Sequence, residues 1–361
     1  MADSVVFESL EIHSHKGPYS VVFSDSTLSS IKNLSRGDIH CIVDRRVAEL
    51  HGESLYPLLD QSSTLLLDSV EETKSLEQFP KYIQHFVSHS IRRGSMLVAV
   101  GGGIVQDVTS FLAATMLRGL DWSFFPTTLL AQADSCIGSK SSINCAGVKN
   151  ILGTFTPPQK VFIANSFLQT LEDKELRSGA GEMLKVHAIA GRDCLRQFAK
   201  NYDELFTNPE LMGKAIQNSL EIKKRYIEKD EFDKGDRLVF NYGHSFGHAI
   251  ESATNYAVPH GIAVSMGCDM ANFVAAKMDL APDSYWREMS SVYRKNYRSF
   301  SNVVISFDNF LVALAKDKKN IGERSFSLIL PNREGEITRG IYPDTLFLRT
   351  TFEEFLSNLH Q

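Results

Sequence analysis

The sequence predicts an α/β N-terminal domain with a parallel sheet, followed by a mostly α-helical C-terminal domain. Two observations carry that expectation. In the first half, short apolar runs alternate with stretches of helical spacing, as in a parallel sheet covered on both faces. Beyond about residue 175, strand-like runs nearly vanish and long helical stretches follow one another. A chain of 361 residues suits two domains.

Along the chain, Tyr19–Phe23 and His40–Val43 are apolar runs that end at Ser or Asp, and helix-like stretches follow near Val47–Leu58. Ser63–Leu67 is another run, and Leu76–Arg93 carries helical spacing through Phe79, Ile83, Phe86, Val87 and Ile91. Met96–Val100 runs into three glycines, Trp122–Phe125 into Pro126, and Val161–Ala164 follows Pro157-Pro158. Helices are expected at Glu175–Ala190, Pro209–Lys229, Arg237–Ala253, Ile262–Lys277 and Asp283–Tyr297, with one late strand at Phe326–Leu330. The boundary is expected between 170 and 178, which gives domains 1–175 and 176–361.

Composition narrows the function classes. With 43% apolar and 22% charged residues the chain reads as globular, and no 18-residue uncharged apolar stretch offers a membrane span. The start lacks a basic segment followed by an apolar one, so secretion is not expected. Five cysteines without a C-x-x-C pair fit a reducing cytoplasm. A formal charge of −5, with no sustained basic run, points away from nucleic acid.

Two places carry chemistry. Met96–Val100, Gly101-Gly102-Gly103 and Ile104–Asp107 read as strand, glycine turn and helix start, where backbone N–H groups meet a pyrophosphate. Gln106 stands where G-x-G-x-x-G has its third glycine, so the same residues also suit a plain tight turn. Thr127 and Thr128 add hydroxyls at a strand end, and Asp44 suits a ribose contact; each also suits a helix cap. In the second domain His244 and His248 lie one helical turn apart, His260 follows Pro259, and Glu182 is a carboxylate on an otherwise apolar helix. Two imidazoles and one carboxylate with an open position would suit catalytic zinc, though H-x-x-x-H pairs also occur simply solvated. Arg118, Asp134, Lys140, Lys149, Asn150, Lys185, Lys223 and Arg237 cluster around these two stretches; cations on small-residue loops can reach a phosphate, or merely face water.

In combination, Gly101-Gly102-Gly103…Asp107, Pro126-Thr127-Thr128-Leu129-Leu130-Ala131-Gln132-Ala133-Asp134-Ser135, Lys149-Asn150, Gly181-Glu182-Met183-Leu184-Lys185 and Asn241-x-Gly243-His244-Ser245-x-Gly247-His248-Ala249-Ile250-Glu251 resemble the 3-dehydroquinate synthases. More broadly they resemble the sugar-phosphate cyclases. The match runs in order from about Asp44 to Pro331. The resemblance implies an NAD-binding first domain and a metal-binding second one. Its metal ligands, for Zn2+ or Co2+, would be Glu182, His244 and His260. Asp44, Glu71, Lys74, Gly101, Gly102, Gly103, Asp107, Thr127, Thr128, Lys149, Thr170, Leu171 and Glu175 would serve NAD. Asp134, Lys140, Asn150, Lys185, Lys223, Arg237, Asn241, His248 and a late lysine, Lys318 or Lys319, would serve substrate. Arg118 matches an arginine that reaches the neighbouring subunit's phosphate site, so a homodimer is implied.

The reaction implied is redox-neutral. Hydride passes from one carbinol of a seven-carbon ulosonate phosphate to NAD, phosphate is eliminated, the hydride returns, the ring opens and an aldol closes the carbocycle. The substrate's own phosphate takes the proton, so the pocket needs cations more than a strong base. Lys223 and Arg237 match the pair that clasps the substrate carboxylate, and a buried cationic pair facing neutral hydroxyls is poorly compensated. That favours 3-deoxy-arabino-heptulosonate 7-phosphate over the substrates of 2-deoxy-scyllo-inosose or valiolone synthases. Ser139, Gln106, Tyr242 and Ser245 depart from the usual dehydroquinate synthase pattern, Tyr242 towards the inosose synthases. Iron-dependent polyol dehydrogenases share the GGG…PTT pattern, but usually begin their metal set with aspartate and lack this density of cations. A catalytically dead scaffold is opposed by retention of all three proposed ligands.

Overall fold

The computed structural model describes residues 9–24, 31, 34, 38–316 and 325–359. These fall into two compact units, Met1–Leu171 with Lys224–Phe232, and Glu172–Lys223 with Asp233–Gln361.

The first unit is built on a seven-stranded sheet in the order β1-β2-β9-β6-β5-β3-β4. Its strands are β1 (Leu10–Ser14), β2 (Gly17–Phe23), β3 (Ile39–Asp44), β4 (Leu65–Leu67), β5 (Met96–Gly101), β6 (Asp121–Pro126) and β9 (Lys160–Ile163). Only the β1–β2 hairpin at one edge is antiparallel; the other pairs are parallel. Every residue of β5 is buried, which is why Met96–Val100 reads as an unbroken apolar run. Cys41, Val43, Val98, Val100, Phe125 and Phe162 form the core of one face. Register decides function here. Val43 pairs with Val100 and Gly101 with Pro126, so Asp44, Gly101 and Thr127 leave the sheet side by side at its carboxyl end.

The helices of this unit are α1 (Arg45–Leu50), α2 (Gly52–Leu59), α3 (Phe79–Ser88) and α4 (Gly103–Thr115). The helix-like stretches expected near Val47–Leu58 are α1 and α2, divided at His51, which caps α1. The one expected over Leu76–Arg93 is shorter, with a 3₁₀ turn at Leu76–Gln78 before it. A second hairpin, β7 (Lys140–Cys145) with β8 (Val148–Phe155), turns through Ala146 and Gly147, both at positive φ. Nearly all of β8 is exposed, so its sequence carries no burial alternation by which a strand is recognised.

The second unit holds α5 (Asp173–Ile189), α6 (Arg192–Lys200), α8 (His244–Ala253), α9 (His260–Lys277), α10 (Asp283–Tyr297), α11 (Phe307–Ala315) and α12 (Leu346–Ser357). The helix α7 (Pro209–Lys229) begins in this unit, and its residues from Lys224 belong to the first. A hairpin of β10 (Ser325–Pro331) and β11 (Ile337–Pro343) completes it. The continuous helix expected over Arg237–Ala253 is a 3₁₀ turn, Asp236–Asn241, and then α8, because Gly243 takes φ 75° between them.

The residues from Gly261 to Ala275 on α9 are all buried, and α5 and α8 press against it backbone to backbone. A Cβ on Gly181 would lie 2.0 Å from the Gly261 carbonyl oxygen, and one on Gly261 1.8 Å from that of Ser178. Only glycine permits so close a crossing, and Glu182 and His260 adjoin the contact. No described helix is long and apolar enough to cross a membrane. Gly261→Ala should therefore cost about 1–3 kcal/mol, read as a lowered midpoint in thermal melting. Gly52→Ala, which meets nothing within 4 Å, should leave the midpoint unchanged or raise it.

Candidate functional site

In the first unit, β5 runs into Gly102, the N-cap of α4, and the helix begins at Gly103. A Cβ on Gly102 would crowd Thr128 Cγ2 at 3.1 Å, whereas one on Gly103 would meet nothing within 4 Å. The helix N-terminus is thus held close to the threonines yet lies open at Gly103, an arrangement that fits an anionic group over the first turn. The Thr127 N–H donates to the Gly101 carbonyl (3.0 Å), and Thr128 Oγ1 accepts from Ala131 N (3.2 Å). Asp44 Oδ1 caps α1 by accepting from Val47 N (3.1 Å). Thr170 Oγ1 lies 2.8 Å from His51 Nε2, and Leu171 ends the first of this unit's two segments.

Other expected cofactor residues contact one another or the β7–β8 hairpin. Lys74 Nζ donates to Asp107 Oδ2 at 2.9 Å, and Asp107 also accepts from Ser142 N and Oγ. Burial pushes the Asp107 carboxyl up, against the pull of Lys74 and Ser142. Glu71 Oε1 accepts from Asn144 Nδ2 (2.8 Å), whose Oδ1 accepts from Asn150 N (2.9 Å). Asn150, at φ 53°, accepts a hydrogen bond from Ser142 through its side chain. Lys140 opens β7 and Lys149 lies on β8. Asp134 lies in a π-helical turn, Ala131–Ser135, closed by Cys136 N donating to the Ala131 carbonyl. Arg118 is exposed at φ 70°, between Leu117 at φ 53° and Gly119 at φ 127°.

In the second unit, Glu175 is the N3 residue of α5, where its carboxylate accepts from Glu172 N (3.1 Å) as half of a capping box. Glu182, on the same helix, is 1% exposed. His260 Nε2 lies 3.3 Å and His244 Nε2 3.7 Å from its Oε1, and Lys185 Nζ pairs with Oε2. Neither carboxylate oxygen accepts a well-directed hydrogen bond among the described residues. The ligand atoms of His244, His248 and His260 all lie within 4.8 Å of one another. Each of the two histidines nearest Glu182 is oriented through its far nitrogen. His260 Nδ1 is 3.3 Å from both Glu251 oxygens, and His244 Nδ1 is 3.3 Å from the Tyr242 carbonyl oxygen. With Nδ1 so engaged, Nε2 faces the carboxylate, the arrangement by which histidines are presented to a metal.

The electrostatics match that donor set. Burial pushes the Glu182 carboxyl up, but Lys185, His244 and His260 outweigh it and hold the group well below the usual glutamate range. Burial depresses His260, yet Glu182 and Glu251 push it up to about 10. His244 lies well below its ordinary value through burial and the nearby Lys185. A buried anion crowded by imidazoles and lacking directed donors fits a divalent cation, which would displace the imidazole proton. Lys223 and Arg237 are both buried, Asn241 Nδ2 donates to the Leu238 carbonyl, and His248 is exposed. Lys318 and Lys319 lie outside the described residues. Sequence reasoning gave no role to Glu251, Ser142 or Asn144. Glu251 had one available signal, since it lies on the helix that carries His244.

The chain thus pairs a parallel α/β unit that has an open helix N-terminus with a helical unit that has a carboxylate–imidazole cluster. Solved structures share the fold. A 2-deoxy-scyllo-inosose synthase complexed with carbaglucose-6-phosphate, NAD+ and Co2+ superposes with TM-score 0.83 at 22% identity, over 96% of this chain and 100% of that one. A 2-epi-5-epi-valiolone synthase from Streptomyces hygroscopicus with NAD+ and Zn2+ bound gives 0.81 at 23%, over 94% and 96%. An iron-containing alcohol dehydrogenase gives only 0.61 at 18%, over 94% and 97%.

Sequence comparison is more specific. Residues 64–178 match the family model of the 3-dehydroquinate synthase N-terminal region, and 179–320 that of the C-terminal region. The 3-dehydroquinate synthase of Campylobacter concisus is 33% identical over 293 residues, 80% of this chain and 84% of that one. That of Streptococcus pyogenes is 30% identical over 346 residues, 93% and 96%. The chain belongs to the 3-dehydroquinate synthase family.

Glu182→Gln should abolish tight zinc retention while leaving NAD affinity within about twofold, because the glycine turn and threonines belong to the other unit. Glu251→Gln, which loosens His260, should weaken zinc by about 10–100-fold. Metal analysis after dialysis and NAD titration check both.

Proposed function

We propose that the chain is a 3-dehydroquinate synthase, a phosphate-eliminating cyclase that converts 3-deoxy-arabino-heptulosonate 7-phosphate to 3-dehydroquinate. Family membership over both units supports the reaction class. Retention of Lys223 and Arg237, both buried, at the positions that match the carboxylate-clasping pair supports an acidic substrate. The Tyr242 phenol donates to Asn272 Oδ1 and lies 3.2 Å from the Cys268 carbonyl oxygen within the helical core.

Held by the residues named below, NAD would supply reversible hydride transfer and a divalent ion would supply acidification of a substrate hydroxyl. NAD is assigned to Gly101, Gly102, Gly103, Thr127 and Thr128, together with Asp44, Glu71, Lys74, Asp107, Lys149, Thr170 and Leu171 of the first unit and Glu175 of the second. The ion is assigned to Glu182, His244 and His260. Lys185 is already paired to Glu182, so it keeps that carboxylate ionised and can orient a ring hydroxyl; Asp134 serves the same end. Lys140, Asn150 and Asn241 hold phosphate by charge and hydrogen bonds, so that its own oxygen takes the proton as it leaves. Exposed His248 relays protons. Lys223 and Arg237 hold the carboxylate. The cytoplasm is the proposed location and a homodimer the proposed form, with Arg118 serving the neighbouring subunit. The consecutive left-handed residues at Leu117 and Arg118 support that role, since strain of this kind is kept where a side chain must be presented.

Enzyme with NAD and zinc should release phosphate from 3-deoxy-arabino-heptulosonate 7-phosphate with no growth at 340 nm. Sedoheptulose 7-phosphate and glucose 6-phosphate should give none. NADH accumulation would mark a dehydrogenase, and release from a neutral sugar phosphate another cyclase. Arg237→Ala should raise KM for the acidic substrate about 10–100-fold and leave that for a decarboxylated analogue nearly unchanged. Equal effects on both would overturn the substrate assignment.

A further inference from the structure

Gln106 interrupts the glycine fingerprint, and its side chain reaches Ser135. The residue is 6% exposed and lies in the first turns of α4, its own N–H donating to the Gly102 carbonyl. Its Nε2 donates to the Ser135 carbonyl at 2.6 Å, while its Oε1 accepts from Ser135 Oγ at 2.7 Å. A carbonyl can only accept, so the amide has one usable orientation, and Ser135 engages both of its ends. Ser135 is the last residue of the π-helical turn that carries Asp134, and a helix leaves its final carbonyls without partners on the ladder. The amide of Gln106 supplies that missing donor. At the other end of the turn, fully buried Gln132 donates through Nε2 to the Pro126 and Ala164 carbonyls, both at 3.0 Å. The turn is thus held between the sheet and the helix that starts at the glycines. A π turn rotates the residues within it relative to an α-helix, so the direction of Asp134 depends on what fixes both ends.

We infer that Gln106 is a positioning residue: through its paired hydrogen bonds to Ser135 it sets the direction of Asp134, and so couples the glycine turn to the orientation of substrate. This rests on the cyclase reading, in which Asp134 holds ring hydroxyls. Glycine at 106 would lack the donor, and glutamate would set a carboxylate against the Ser135 carbonyl until protonated. Ser135→Ala removes the hydroxyl half of the pair and leaves the rest of the turn in place.

The test is a double-mutant cycle on the NAD- and zinc-loaded enzyme, with phosphate release from 3-deoxy-arabino-heptulosonate 7-phosphate as readout. Gln106→Ala and Ser135→Ala should each lower kcat/KM, the former about tenfold or more. Either one combined with Asp134→Asn should cost little beyond Asp134→Asn alone, since all act through one carboxylate. Gln106→Glu should be defective at neutral pH and regain activity relative to wild type as pH falls. Losses that multiply with that of Asp134→Asn, or variants within twofold of wild type, overturn the inference while the cyclase reading stands. Absence of turnover by the unmodified enzyme overturns both.

Discussion

Placing a carboxylate at the centre of a helical unit is costly unless positive charge surrounds it, and Glu182 is almost wholly out of water. Lys185 comes from the next turn of its own helix, and His244 and His260 come from two others. That convergence depends on backbone contact. Gly181 and Gly261 let α5 and α9 cross with no side chain between them, and Gly243 turns the chain into α8 beside α9. Side chains on these glycines would push the imidazoles away from the carboxylate. The electrostatics of the cluster thus rest on three residues that carry no charge.

The first unit reaches chemical capability by a different route. Parallel register brings Asp44, Gly101 and Thr127 to one end of the sheet, and the glycines leave the start of α4 approachable. The surrounding polar groups then tie loops to one another. Lys74 and Asp107 hold the β7–β8 hairpin through Ser142, and Glu71 does so through Asn144. These contacts need not compete with a nucleotide role, because a preorganised loop loses less freedom when a ligand arrives.

Much of this was legible in the sequence. The buried strands β3, β5 and β6 betray themselves by continuous apolar runs, and α7 and α10 have the bounds their spacing predicts. Of the carboxylate–imidazole cluster, the sequence flagged Glu182 as a lone acid on an apolar helix and His244 and His260 as nearby histidines, but not their convergence. What stayed hidden follows physical rules. The exposed β8 strand offers no alternation, and β11 alternates too weakly against a single partner to stand out. Glu251 and Ser135 act on other side chains across the fold, and no local pattern announces such contacts. The helix break at Tyr242-Gly243 depends on a positive φ that a glycine permits but does not require.

The central claim is that Glu182, His244 and His260 jointly ligate one divalent ion. Zinc K-edge absorption on the zinc-loaded chain tests it most directly. The account predicts one ion per chain with two imidazole nitrogens and a carboxylate oxygen in its first shell, and the loss of one imidazole in His260→Ala. An ion whose shell is unchanged by that substitution, or a chain that retains no zinc, would contradict it.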